Sequence, residues 1–237
     1  MIDINKEDFF KKGYYIGKTN EIFDDFNEME SNINKMIKIT TEKDLFRYRY
    51  DISLNGTYHS EIPDYLSGQY KDINSVNKID EFVKENNISV FQKWQETING
   101  NGLEDIVLYF RKKINPILFH LYPFLENNCH HQNNFTFYQN GDFIQPHIDG
   151  GASPSRCCVI LIYLSNKKDY NDGGGEIVLT GDNLIEKVYP ISENFCILDF
   201  SKNNIEHAVN PVKNDFKRYT FIDFVYNQKE FDIENRK

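Results

Sequence analysis

No run of eighteen or more apolar residues occurs anywhere in the 237-residue chain, so no segment has the length of a membrane-spanning helix. The opening MIDINKEDFFKK carries charges where a secretory leader needs an apolar stretch, and no leader is expected. Cysteine is scarce. Cys129, Cys157, Cys158 and Cys196 form neither a CxxC pair nor a ladder of spaced pairs, and a chain of this length needs no staples, so all are read as reduced thiols. Basic residues are outnumbered, 27 Lys and Arg against 36 Asp and Glu for a formal charge of −9. That balance argues against a broad phosphate-binding surface and against a nucleic-acid partner. Repeats and low-complexity tracts are absent too. The composition that remains, 40% hydrophobic and 27% charged, supports a packed core, one compact domain with an elaborated N-terminal half. The expectation is a soluble cytoplasmic protein, with the nucleus as the other open compartment.

The character of the chain changes near Asn133. Before it, Ile22, Phe26, Met29, Ile33 and Met36 recur at steps of three and four, the spacing of one helix face. Phe46, Tyr48, Tyr50, Ile52 and Leu54 alternate, which predicts a strand with one buried side. The polar, proline-containing stretch 55–77 reads as a loop, long enough to act as a lid or binding segment. Leu103, Ile106, Val107, Phe110 and Ile114, then Leu118 and Leu121, again follow helical spacing, with Pro116 expected to break or kink the run. After Asn133, strand patterns cover 133–140, 144–149, 156–164, 175–180, 185–190, 195–200, 206–212 and 217–226. Asn140-Gly141, Gly150-Gly151 and Asp172-Gly173-Gly174-Gly175 punctuate them. So many short strands imply a barrel or sandwich. The predicted fold is mainly β with flanking helices, an α+β arrangement. A support region spans 1–132, a β core 133–227, and a polar tail 228–237.

Six histidines are present, and four of them, His59, His120, His130 and His131, are read as structural or surface residues. The other two keep distinctive company. In QPHIDGG, His147 and Asp149 stand two apart on a predicted strand, so both leave one face and a metal can bind both. His207 follows sixty residues later, opening another strand, and Arg218 eleven residues after that. Two imidazoles and one carboxylate on one face of an octahedron leave adjacent positions open, the arrangement suited to non-haem Fe(II) that activates O₂. An oxoacid chelating that metal needs a fixed cation for its other carboxylate, and Arg218 offers a planar fork of donors. Lys217 competes for this role, because a bulge in 213–216 would swap the faces. Thr220 shares the face of Arg218. Tyr138 and Tyr163 are candidate donors on neighbouring strands, with ordinary core packing as the competing reading for each. Arg156, at the start of the strand after the HxD pair, either touches substrate or is a surface arginine.

The segments FYQNGDFIQPHIDGG, VILIYLSNKKDYNDGGGEIVL and FCILDFSKNNIEHAVNPVKNDFKRYTFIDF together resemble the 2-oxoglutarate/Fe(II) dioxygenase superfamily, in its prolyl 4-hydroxylase-like branch. The resemblance runs over about 133 to 227. It implies a double-stranded β-helix, the jelly-roll or cupin-like core, buttressed by the N-terminal helices. It further implies His147, Asp149 and His207 as iron ligands, Arg218 on the remote carboxylate of 2-oxoglutarate, and Tyr138 and Tyr163 as cosubstrate-binding tyrosines. Fe(II), 2-oxoglutarate and O₂ are the implied cofactor and cosubstrates, with L-ascorbate as a further cofactor of that branch. The implied reaction hydroxylates a C–H bond and releases succinate and CO₂.

For the substrate, the branch implies a residue of a protein or peptide, proline first. An eleven-residue spacing from His207 to Arg218 is more usual in members resembling phytanoyl-CoA hydroxylase, so a small-molecule substrate stands as the alternative. Nucleic-acid demethylation is not expected, because Phe224 stands where the branch that performs it places a second arginine. A module that binds metal or 2-oxoglutarate without turnover is the reading from another class.

Overall fold

The eight strand patterns of the C-terminal half fold nearly where the alternation puts them. The computed structural model describes residues 4–54, 57–58, 68–70, 73–97, 102–149, 153–181, 184–201 and 205–235. In chain order the elements are α1 (Lys6–Lys12), β1 (Tyr14–Lys18), α2 (Phe26–Glu42), β2 (Phe46–Leu54), β3 (Thr57–Tyr58), β4 (Gly68–Tyr70), α3 (Ile73–Glu85), β5 (Ser89–Thr97) and α4 (Glu104–Leu121). Then follow β6 (Cys129–Tyr138), β7 (Phe143–His147), β8 (Arg156–Tyr163), β9 (Ile177–Gly181), β10 (Leu184–Val188), β11 (Asn194–Asp199), β12 (Glu206–Val209), β13 (Arg218–Asn227) and α5 (Gln228–Glu234).

Every strand pairing is antiparallel, and the order β1-β11-β8-β13-β6-β5-β7-β12-β9-β10 curls into a nearly closed barrel-like sheet. This is the double-stranded β-helix core that the sequence implies. Strand β5 closes it: Gln95 pairs with Phe137 on β6, while Gln92 pairs with Ile144 on β7. Strand β8 reads as a continuous apolar run because both its faces are covered. Cys158, Ile160 and Ile162 pack outward among the helices, whereas Val159, Leu161 and Tyr163 pack into the barrel. The outer cluster is the larger. In it α2 contributes Met29, Ile33 and Met36, and α4 contributes Phe110, whose ring stacks on Phe221 of β13 at 4.9 Å between centroids. Burial of such faces, worth about 1.5–3 kcal/mol per large apolar side chain, fastens the helices to the sheet.

Several expectations need correction. Helix α2 starts at Phe26, capped by Asp25, whose carboxylate accepts from the Asn27 and Glu28 N–H groups. Ile22 lies before it, yet is buried in the same cluster. Helix α4 runs unbroken through Pro116. Ile114, Ile117, Leu118 and Leu121 are buried on both sides of the proline, and their burial offsets the roughly 3 kcal/mol that a mid-helix proline costs. Within the supposed loop 55–77, residues 57–58 and 68–70 pair with β2, and α3 begins at Ile73; the rest of that stretch lies outside the described residues. The supposed polar tail forms α5, capped by the Asn227 side chain and stacked through Phe231 on His130 at 4.0 Å. From α5, the Glu234 carboxylate accepts hydrogen bonds from Ser153 Oγ (2.6 Å), Ser155 N–H (2.9 Å) and Ser155 Oγ (2.8 Å). All four cysteines are free thiols. Among the described residues no helix is long and apolar enough to cross a membrane.

Candidate metal centre and its cavity

Strands β7 and β12 pair so that His147 and His207 stand opposite one another, with ring centroids 4.2 Å apart. Asp149 lies two residues past the end of β7, in a bend rather than on the strand. The alternation argument therefore does not carry it there; the bend turns its carboxylate back between the rings. Asp149 Oδ1 is 3.7 Å from His147 Nε2, and Oδ2 is 3.5 Å from His207 Nε2. Ligand atoms of all three lie within 4.8 Å of one another, the one such three-residue set among the described residues.

The neighbouring backbone fixes the tautomers. His147 Nδ1 faces Gln145 O at 2.9 Å and His207 Nδ1 faces Ile205 O at 3.2 Å, so each Nδ1–H donates and each Nε2 lone pair is turned inward. Burial, reinforced by His207, holds the His147 pKa below the usual imidazole value. Burial alone would raise the Asp149 carboxyl, but the neighbouring His207 and His147 rings and the Arg156 guanidinium bring it below the ordinary carboxylate range. Neutral imidazole and ionised carboxylate are the forms a cation binds. A set of two nitrogens and one oxygen suits Fe(II), Mn(II) or similar ions better than a closed structural zinc site.

The triad opens onto a cavity of about 140 Å³ inside the barrel, walled by Ile144, Val159, Leu161, Ile177 and Val209 and also lined by Tyr138 and Arg218. Arg218 is 1% exposed. Its Nε donates to Gly175 O at 2.8 Å, and its guanidinium lies over the rings of Tyr138 (4.5 Å) and Tyr163 (5.4 Å). Gly175 has a left-handed φ of +73°, and a Cβ there would come within 3.0 Å of Arg218 Cδ, so glycine serves both the turn and the approach. Near Arg218 three buried polar atoms lack any hydrogen bond of ordinary geometry: its own Nη1, the Tyr163 hydroxyl and the Thr220 hydroxyl. Arg218 and Thr220 share one face of β13, where they pair with Tyr138 and Tyr163 respectively. Tyr163 and Thr220 do not line the cavity itself. Burial pushes the pKa of both phenols up, so both hydroxyls remain donors. A buried cation beside unpaired donors is costly without an anion, and the set fits a carboxylate.

Lys217 is exposed and lies in a surface groove beside Ser165 and Asp215. Arg156 is not a free surface residue. Its Nη1 donates to Asp149 O at 3.2 Å, Nη2 donates to the Tyr226 hydroxyl at 3.1 Å, and its guanidinium sits 4.6 Å from the Phe224 ring centroid. His120, His130 and His131 take up contacts away from the cavity, and His59 lies outside the described residues. The sequence reading missed Gln92, Trp94 and Asn134, which also line the cavity. Trp94 stacks on Tyr138 at 5.7 Å with ring planes 4° apart. The available signal was the single tryptophan, two residues from Gln92 in a short alternating run.

Residues 133–226 match the family described as the 2OG-Fe(II) oxygenase superfamily. No curated protein sequence matches the chain. Among solved structures, a Trichoplax adhaerens prolyl hydroxylase in complex with a hypoxia inducible factor oxygen degradation domain peptide fragment superposes with a TM-score of 0.64 at 15% identity, over 96% of this chain and 90% of that one. A Pseudomonas putida prolyl-4-hydroxylase gives 0.61 at 12% identity, over 93% and 96%. A Burkholderia pseudomallei oxidoreductase of the 2OG-Fe(II) oxygenase family gives 0.57 at 12% identity, over 96% and 95%. At these identities the likeness concerns the fold.

Proposed function

On the premise that residues 133–226 form a 2OG-Fe(II) oxygenase core of prolyl hydroxylase-like fold, we propose that the protein is a dioxygenase dependent on Fe(II) and 2-oxoglutarate. It hydroxylates a C–H bond of a protein substrate, a prolyl residue in the first instance. The observation that carries this reading is the juxtaposition, around one cavity, of a His-Asp-His set with a buried arginine whose Nη1 has no partner. Bound iron and 2-oxoglutarate supply the oxidising power, with O₂ consumed and succinate and CO₂ released, and L-ascorbate belongs to the same proposal as a reductant.

The chain's own residues bind, orient and exclude. His147, Asp149 and His207 hold the cation through inward-facing Nε2 and carboxylate atoms. Arg218 receives the remote carboxylate of the cosubstrate, Tyr138 sets the cavity wall, and the buried Thr220 and Tyr163 hydroxyls stand behind the guanidinium as the nearest further donors. Arg156 steadies Asp149 through its backbone carbonyl and meets the substrate only beyond it. The aliphatic wall keeps water away.

A peptide is the preferred substrate reading: the enclosed space of about 140 Å³ is small beside the roughly 300–1,000 Å³ of a usual ligand pocket, so a substrate C–H bond arrives through the cavity mouth, as an extended chain can present it. The Trichoplax enzyme's complex with a peptide fragment supports the same choice.

The test is the visible absorption of anaerobic protein titrated with Fe(II) and then 2-oxoglutarate. A charge-transfer band that needs both is expected, and succinate release in the presence of proline-containing peptides then identifies the substrate. Folded protein that gives no band would sink the reading.

A further inference from the structure

A second cluster of reactive side chains lies on the opposite face of the same sheet. Cys129 and His131 project from one side of β6, and Asp223 projects from the same side of β13, two pairs along in the ladder from His131. Cys129 Sγ is 3.1 Å from His131 Nε2, and His131 Nδ1 is 2.8 Å from Asp223 Oδ2. Asp223 is 0% exposed and its Oδ1 has no partner. A carboxylate facing Nδ1 keeps the ring proton there, which leaves the Nε2 lone pair to accept from the thiol. Thiol, base and orienting carboxylate thus stand in the relation of a nucleophilic triad.

The surroundings suit a ligand. Cys129 and His131 line an open cavity of about 660 Å³ with Leu108, Phe119, Arg111 and Asn115. Arg111 Nη2 is spent on Asn133 Oδ1 (2.6 Å) and His131 O (3.3 Å). Its Nε and the Asn115 Oδ1 atom are buried without partners behind this cavity.

The geometry points to a second reactive centre, in which Cys129 is a thiol nucleophile with His131 as its base and Asp223 as a positioning residue, and which takes an acyl group from an activated ester or thioester. The sulfur attacks the carbonyl carbon while the thiol proton passes to His131 Nε2. The ester C–O or thioester C–S bond then breaks, and the departing alcohol or thiol takes that proton from His131. S-acyl Cys129 and the free alcohol or thiol are the products, so no oxidant or reductant is needed. Burial raises the Cys129 thiol to about 12, so its proton leaves only as the new bond forms. The chemistry is therefore general-base catalysis rather than attack by a resting thiolate.

The experiment uses the full chain and p-nitrophenyl acetate. A burst of one p-nitrophenolate per chain is expected, with the acetyl group located on Cys129 by peptide mass spectrometry and lost in Cys129→Ser. His131→Gln should slow acylation roughly a hundredfold, the scale of one general base, and should remove the ionisation seen in the wild-type pH profile. Where His131→Gln melts too low for the assay, Asp223→Asn, closest in shape, is expected to slow acylation in the same way. Acetylation of Cys129 no faster than that of free cysteine at the same pH, or an unchanged rate in either variant with intact circular dichroism, would overturn the proposal.

Discussion

Strands β2 and β5 on one side and β8 and β13 on the other both bury polar side chains in the sheet, but they treat them differently. Along β2 and β5 these groups satisfy one another: Gln92 and Arg49 both donate to Asp51, Trp94 donates to Gln92 Oε1, and Asn134 of β6 donates to Glu96 of β5. On β13 and β8, Arg218 Nη1, Thr220 Oγ1 and Tyr163 Oη are left unpaired. Matched buried polar groups specify a shape, and unmatched ones of complementary charge reserve a place for a ligand. One region therefore builds the barrel wall while the other retains its chemistry.

The sharpest way to separate the two is Asp149→Ala, which is expected to abolish both the iron-dependent absorption and succinate formation while circular dichroism stays native. A variant with full turnover would remove the triad from the mechanism. Next in size, Phe110→Ala should cost about 3–5 kcal/mol of stability, measured by urea unfolding, because Phe110 packs fully buried between α4 and β13. Its iron affinity should be unchanged while it remains folded; a parallel loss of affinity would show that the two regions are not separable. Arg218→Ala should raise the 2-oxoglutarate requirement roughly 10- to 100-fold, as expected for charged hydrogen bonds worth about 1.5–3 kcal/mol, whereas Lys217→Ala should leave it alone. The reverse pattern in cosubstrate titrations would transfer the role to Lys217.

The effect most gradual in pH lies at the junction. Asp142, in the turn between β6 and β7, is raised to about 7 chiefly by burial, against the hydrogen bond from Gln139 N–H and the charge of Lys93, with Asp80 adding to the rise. Below about pH 4 the carboxyl is protonated in both folded and unfolded chains; between about 4 and 7 only the folded state keeps the proton. Stability should therefore fall as pH rises through that window, by at most about 1.4 kcal/mol per unit, and level off above it. Asp142→Asn should remove this slope in urea unfolding at a series of pH values, and an unchanged slope would place the titrating group elsewhere.

What could be read beforehand follows the same division. Strands β6 to β13 are short runs punctuated by Gly, Asn and Asp, and His147, His207 and Arg218 stand on strands that local geometry is enough to place. Strand β5 was illegible for a physical reason. Gln92, Gln95 and Glu96 are polar yet buried, and the partners that make this tolerable, such as Asp51 and Asn134, lie some forty residues away on either side. Pro116 misled because a local rule was overruled by burial on both sides of it. Asp149 reaches the two imidazoles by a bend that alternation does not describe, and α5 hid in a polar stretch whose stacking on His130 depends on tertiary contact.

The grip of Glu234 on Ser153 and Ser155 couples the periphery to the centre. Those serines lead directly into Arg156, and Arg156 braces Asp149. A pull on the last helix is thus relayed through a short series of side chains to one of the three groups around the metal position. The barrel decides where that aspartate lies, and a carboxylate more than eighty residues further along the chain governs how stiffly it is held.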